Sequence, residues 1–395
     1  MAYPDRDHRI ALVTSEVVPS AGVASITSTS GSITLNAYST SGPALFIYRP
    51  NTQVTSSSGN ILVNTTGGLE LWRDNLGAGV APVMSTSGAG TLTLNVDGYS
   101  TINSSVLSTQ NGDLTFNITG NLSQIWGTHF DTTGTGDIVI ASASNVRLSH
   151  SAGVNGGLRA SGTGDIRISG ANIELSGNVI GHANIQFSNN VTLSEDTVLV
   201  NSNGGDIYFA GTVNSATSNR ALEVTAGAGD ITFADAVGGT LALKGLTLTG
   251  NVISATSVRL YGANSSAAQF VMTNAGSSVV SGAISQAGAG ALLNKSGLGT
   301  LTLSGANTYT GTTTVSAGTL SVTGSLADTT AVTVASGATY DVAASDTIAS
   351  LAGAGNVTLN SNTLTVGGSS NTTYSGVMSG TGSLVKAGTA TFTMS

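Results

Sequence analysis

The chain has no cysteine among its 395 residues, which excludes disulfides, thiolate metal sites and cysteine nucleophiles together. It is also consistent with a protein that crosses an oxidising compartment unfolded. Charge is scarce: 8% of residues are charged, against about 25% in an ordinary globular domain. Twelve Lys and Arg in so long a chain are too few to build a basic nucleic-acid face. The net charge of -8 favours solubility and points to no particular partner. Aromatics make up 5% and proline only 5 residues. No apolar run approaches the roughly 20 residues of a membrane-spanning helix.

Glycine (53 residues), Ser, Thr, Asn and Val fill the space. Disorder is not the reading, because 40% of residues are hydrophobic and charge is low. Helix is disfavoured, since Gly and β-branched residues cost helix stability and Ser and Asn compete for the backbone. Alternating Val, Ile, Leu and Thr suit strands.

The strands recur in phrases. SGSITLNA (Ser30–Ala37), SGNILVNT (Ser58–Thr65), GAGTLTLNV (Gly88–Val96) and NGDLTFNI (Asn111–Ile118) share the form small-Gly-polar-apolar-x-apolar-Asn. GTGDI occurs twice, at Gly134–Ile138 and Gly162–Ile166, each time opening an alternating run. A repeat of this size, with about three short strands and Gly/Ser/Asn corners, signals a solenoid. Stacked parallel coils lie about 4.8 Å apart. Like charges at that spacing repel by roughly 0.9 kcal/mol each in water, so charge is depleted. Asn, Ser and Thr stand above one another and hydrogen-bond along the stack. Corner glycines are expected to supply φ > 0. About 24 residues per turn gives on the order of 16 turns. The rival reading is a set of antiparallel sandwiches with Asn111-Gly112, Asn155-Gly156 and Asn203-Gly204 as hairpin turns.

Residues 1–25 are the least repetitive. They lack the apolar core of a signal peptide and read as an arm or cap over the first strand edge. Residues 26–290 carry the Gly-initiated phrase. Residues 291–395 carry a changed one, Leu292–Ala327, with a partial second copy, SGTGSLVKAGTATFTMS, reaching Ser395. The second copy reads as cut inside a repeat.

The run from Lys295 to Gly311, KSGLGTLTLSGANTYTG, followed by Thr313-Thr314-Val315 and Ala317-Gly318-Thr319-Leu320, resembles the passenger-associated repeat of bacterial autotransporters. The middle block is similar, more loosely, to filamentous-haemagglutinin-type surface repeats. The resemblance implies an all-β fold, a right-handed parallel β-helix (β-solenoid). It also implies export to the bacterial surface or the extracellular space, and a role in adhesion or surface structure. Nothing resembles an outer-membrane barrel or a two-partner secretion domain, so the export route stays open.

Candidate sites are few. The aspartates of the GDI-type corners, Asp113, Asp137, Asp165, Asp206 and Asp230, fit calcium ligands if several converge. The plainer reading is side chains capping corner N–H groups. Arg147, Arg159 and Arg167 alternate with apolar residues and are expected to lie close together outside, as a basic patch for acidic glycan or as solvated arginines. Trp72 and Trp126 are fillers of wide coils or sugar-stacking platforms. His8, His129, His150 and His182 show no metal spacing. Glu195 and Asp196 are adjacent and do not oppose each other across a substrate, as a glycosidase pair must. No cofactor is expected, and the chain reads as non-catalytic. The leading function is a structural or adhesive rod segment of a large secreted surface protein. A filament or surface-layer subunit that self-associates through the last strand (Thr389, Phe392, Ser395) is the alternative, and a glycan-active enzyme on the same scaffold is the third reading. Host or neighbouring-cell surfaces or glycans are the expected partners.

Overall fold

A computed structural model describes residues 25–47, 52–72, 81–125, 127–149, 157–195, 197–262, 268–288 and 290–395. All but Ser25 of the expected N-terminal arm lies outside these residues. The described elements are all strands, and their pairings are parallel. The protein is a β-solenoid of parallel stacked strands. Antiparallel sandwiches are excluded: Gly112 and Gly204 sit at corners between parallel strands, not in hairpins, and Asn155-Gly156 lies outside the described residues. One sheet holds 17 strands, one per coil, close to the expected number of turns, and coil length varies, reaching 31 residues between equivalent asparagines.

The chain divides into two compact units, residues 1–205 and 206–395. In the first unit each coil has three faces. The first face stacks Ser25–Ser28, Gln53–Ser56, Val83–Thr86, Val106–Thr109, His129–Thr132 and Gly157–Ala160. The second stacks Leu92–Asp97, Leu114–Ile118, Ile138–Ser142 and Ile166–Ser169. The third stacks Ser100–Asn103, Leu122–Ile125, Val146–Ser149 and Ile173–Ser176. The strand Ile61–Trp72 bends from second face to third without a break, pairing with Leu92–Asp97 through its first half and with Ser100–Asn103 through its second.

Alternation places every other side chain inside. Leu35, Val63, Leu94, Phe116, Ile140 and Ile168 form one buried column. Each such side chain contributes about 1.5–3 kcal/mol by leaving water, and each sits on its counterpart in the next coil.

The phrase glycines are needed for a different reason from the one expected. Gly59, Gly90, Gly112, Gly136 and Gly164 do not have positive φ. A Cβ on Gly136 would lie 2.0 Å from the carbonyl oxygen of Gly112, and one on Gly164 would lie 1.9 Å from that of Gly136. Close approach of stacked corner backbones, rather than φ, demands glycine there.

The second unit repeats the plan. Phe209 and Phe233 stack inside it with ring centroids 4.7 Å apart. Before residue 291, register partners in the paired strands of this unit lie 22–26 residues apart. Beyond it they lie 17–21 apart. The expected boundary at 291 is therefore a shortening of the coil. Strand pairing crosses it, with Gln269 against Leu292 and Ser278 against Leu301.

The two copies of the lysine phrase occupy different faces. Leu292–Ser296 lies in the stack that also holds Thr313–Val315, Ala331–Val334, Ser350–Gly353, Thr372–Tyr374 and Phe392–Met394. Ser383–Lys386 lies instead on Thr363–Val366 and Asp346–Ile348. The phrase is thus a corner module, a strand that ends in a lysine whose Nζ turns back onto the carbonyls after it. Lys295 donates to Ser296 O and Gly297 O, and Lys386 to Ala387 O and Gly388 O. The glycine of each copy has positive φ, +77° at Gly297 and +70° at Gly388.

Candidate functional site

A concavity lies in the first unit, where the second face bends into the third. The Asn of the repeated phrase points outward there. Asn64 Nδ2 donates to Asn36 Oδ1 at 2.8 Å, Asn95 Nδ2 to Asn64 Oδ1 at 2.9 Å, and Asn117 Nδ2 to Asn95 Oδ1 at 2.9 Å. The four amides form a ladder, although 28, 31 and 22 residues separate them in sequence. Two residues further along each strand stands a second outward column, Tyr38, Thr66, Asp97 and Thr119, with Thr119 Oγ1 donating to Asp97 Oδ1 at 3.0 Å. Between the columns lies an open cleft of about 460 Å³. Just past the bend, Tyr99 covers Gly68 and donates its hydroxyl to Glu70 Oε1 at 2.6 Å. That hydrogen bond, with burial and the glutamate charge, pushes the Tyr99 pKa up to about 12.

The aspartates form a second ladder, at the opening corner of the second face. Asp113 Oδ1 accepts the backbone N–H of Asp137 at 2.9 Å, and Asp137 Oδ1 that of Asp165 at 2.8 Å. Asp165 Oδ1 accepts both the backbone and side-chain N–H of Asn184. In the second unit Asp206 caps Asp230, and Asp230 caps Val252. These are corner caps, each reaching its counterpart one coil on. Among the described residues no group of three His, Cys, Asp or Glu is placed to hold a metal ion. Among the described residues no helix is long and apolar enough to cross a membrane.

The three arginines do not gather. Arg147 is on the third face, Arg159 on the first and Arg167 on the second. Each stands by an acid. Arg147 Nε lies 3.2 Å from Glu174 Oε1, and Arg167 lies 2.5 Å from Asp137 Oδ2 and 2.7 Å from Asp165 Oδ2. Arg159 is in register with Asp131, whose carboxyl pKa is raised by burial against the opposing pull of Arg159 and His129. The expected basic patch is therefore three outward arginines on three faces. Trp72 is half-buried with its indole Nε1 shut off from solvent and without a partner among the described residues. Trp126 lies outside the described residues.

At the last strand, Phe392 pairs with Thr372 and its ring stacks with that of Tyr374, centroids 6.5 Å apart. Thr389 and Ser395 are exposed. One polar group was not legible as buried: Lys295 is fully buried, with Nζ donating to Ser296 O, Gly297 O and Ala317 O at 2.8, 2.9 and 3.2 Å. Burial pulls its pKa down to about 8. The three carbonyls hold the ammonium that remains at neutral pH. The signal missed was the phrase itself, which places lysine at an inward position of an alternating strand.

Neither curated proteins nor solved structures yield a match to the chain. Residues 293–322, which hold the buried Lys295 corner and the shortened coils after it, match the family described as the passenger-associated-transport-repeat.

Proposed function

We propose that this chain is a structural and adhesive segment of a secreted bacterial surface protein, part of an autotransporter-type passenger, and that it does no catalysis. The passenger repeat is a feature of secreted or surface-exposed proteins. The observation that carries the reading is its setting. The matched residues are coils in a parallel stack whose strand pairing runs without interruption across residue 291. A stack of near-identical coils resists bending and offers long polar faces for contact. The non-catalytic reading draws support from the aspartate ladder, whose oxygens are occupied by backbone N–H groups and by Arg167.

The test places the full chain upstream of a bacterial outer-membrane autotransporter barrel. The expected result is display on the cell surface, reached by added protease, with cells that adhere to animal-cell or bacterial monolayers. Retention inside the cell would overturn the passenger reading. Display without adhesion would overturn the adhesive part. Shortening of any polysaccharide in a neutral and acidic panel would overturn the non-catalytic part.

A further inference from the structure

We propose that the cleft along the asparagine ladder binds an uncharged oligosaccharide, laid along the stack of coils with one sugar ring on Tyr38. The proposal rests on the adhesive reading and gives it a site and a ligand class.

Hydrogen-bond inventory comes first. An Asn amide has two N–H donors and an oxygen with two lone pairs. In the ladder, Asn64 and Asn95 each use one donor and one lone pair on their neighbours. One donor and one acceptor per coil remain for a ligand on the open side. Adjacent sugar hydroxyls, each both donor and acceptor, complement such a pair. The ladder bonds fix the amides in advance, so little side-chain entropy is lost on binding.

Spacing and extent come next. The amides repeat at the coil spacing of about 4.8 Å, so four of them present the same group over about 14 Å. A polymer with evenly repeated hydroxyls meets each in turn, whereas a compact metabolite meets one or two. The ladder is bounded on one side, because the coil after Asn117 places Ala141 in the same column.

Among the described residues no Lys or Arg lines the cleft, and Asp97 is the one carboxylic acid that does. Acidic polysaccharides and phosphates would meet repulsion there. Tyr38 is 61% exposed at the edge of the cleft. It offers an aromatic face to the C–H face of a sugar, with a hydroxyl at its rim.

The experiment titrates the full chain with gluco-, galacto- and manno-configured hexasaccharides, and with oligogalacturonate as the anionic counterpart, by calorimetry. Saturation-transfer NMR locates the contact. The expected result is binding of at least one neutral hexasaccharide, weakened about tenfold by Tyr38→Ala and about tenfold by Asn64→Ala, the loss of one good contact each. Thermal melting separates this from misfolding, and Tyr38→Ala, at an exposed position, keeps the wild-type melting temperature. Silence toward all neutral sugars would overturn the proposal. So would neutral binding untouched by both variants, or a preference for oligogalacturonate. In each of these cases adhesion of the displayed chain would still stand. Loss of adhesion by the wild-type chain itself would instead strike the reading beneath.

Discussion

The carboxylate of Asp137 accepts the backbone N–H of Asp165, its own counterpart one coil on, at 2.8 Å. Stacked aspartates repel by roughly 0.9 kcal/mol in water, yet Asp113, Asp137 and Asp165 stand in one column. Two contacts offset that repulsion: the N–H each carboxylate receives, and the Arg167 guanidinium spanning Asp137 and Asp165. Arg167→Ala should destabilise the protein by about 0.5–1 kcal/mol, as an exposed pair does. Added salt should shrink that deficit. Asp137→Ala should cost about 1–2 kcal/mol with little salt dependence, because it removes a cap as well as a charge. Urea unfolding at low and high salt measures both.

The corner glycines give a sharper contrast. Gly136→Ala forces a Cβ against the Gly112 carbonyl and should cost about 3 kcal/mol or more. Gly337 has φ +83° with open space around it. Gly337→Ala should cost only about 1 kcal/mol of backbone strain. Melting temperatures of the two variants rank them.

Much of this was legible in the sequence, and the residues show why. The Asn and Asp columns could be read because each residue keeps its place relative to a phrase glycine, and equal places become neighbours when coils stack. Arg147, Arg159 and Arg167 misled for the same reason. They are separated by a third to a half of a coil, which is enough to carry each to another face. Nor could the face taken by the lysine phrase be read. The three faces impose one alternation, and a corner module fits any of them. The cleft beside Tyr38 arises from a bend shared by two faces, and no local pattern encodes a bend.

Lys295 and Lys386 hold the same place in their phrases but differ in cover, one fully buried and the other exposed. Lys295→Met leaves three half-buried carbonyls without their ammonium and should cost about 3 kcal/mol. Lys386→Met should cost under about 0.5 kcal/mol. The pH dependence has a definite sign. The folded-state pKa of Lys295, about 8, lies below the ordinary 10.5 of the unfolded chain. Between those values the unfolded state holds more protons, so stability rises with pH across that window. The wild-type rise attributable to this group is about 3 kcal/mol by linkage. Lys295→Met should lose it, and chemical unfolding at pH 7 and pH 10 reads the difference.

The asparagine ladder should behave as a chain with weak links. Asn95→Ala removes two amide bonds at once and should cost about 1–2 kcal/mol, while Asn117→Ala, at the end, removes one and should cost about half as much. Asn95→Asp should cost more than Asn95→Ala as pH rises above the carboxylate range, since a charge then faces Asp97 nearby. Denaturant midpoints across pH 3 to 8 separate the three.

The account depends on coils that stack parallel with a defined register, and a paired-cysteine crosslink reads that register directly. The native chain has no cysteine, so any disulfide formed is the introduced one. Thr93 and Thr115 are register partners on outward positions of adjacent coils, at a spacing of about 4.8 Å that a disulfide accepts. Thr93→Cys/Thr115→Cys should oxidise quantitatively to an intramolecular bond, and Thr93→Cys/Asn117→Cys, one outward position out of register, should oxidise far more slowly. Equal rates for the two pairs, or no bond in the first, would contradict the stacking from which the ladders, the glycine column and the cleft all follow.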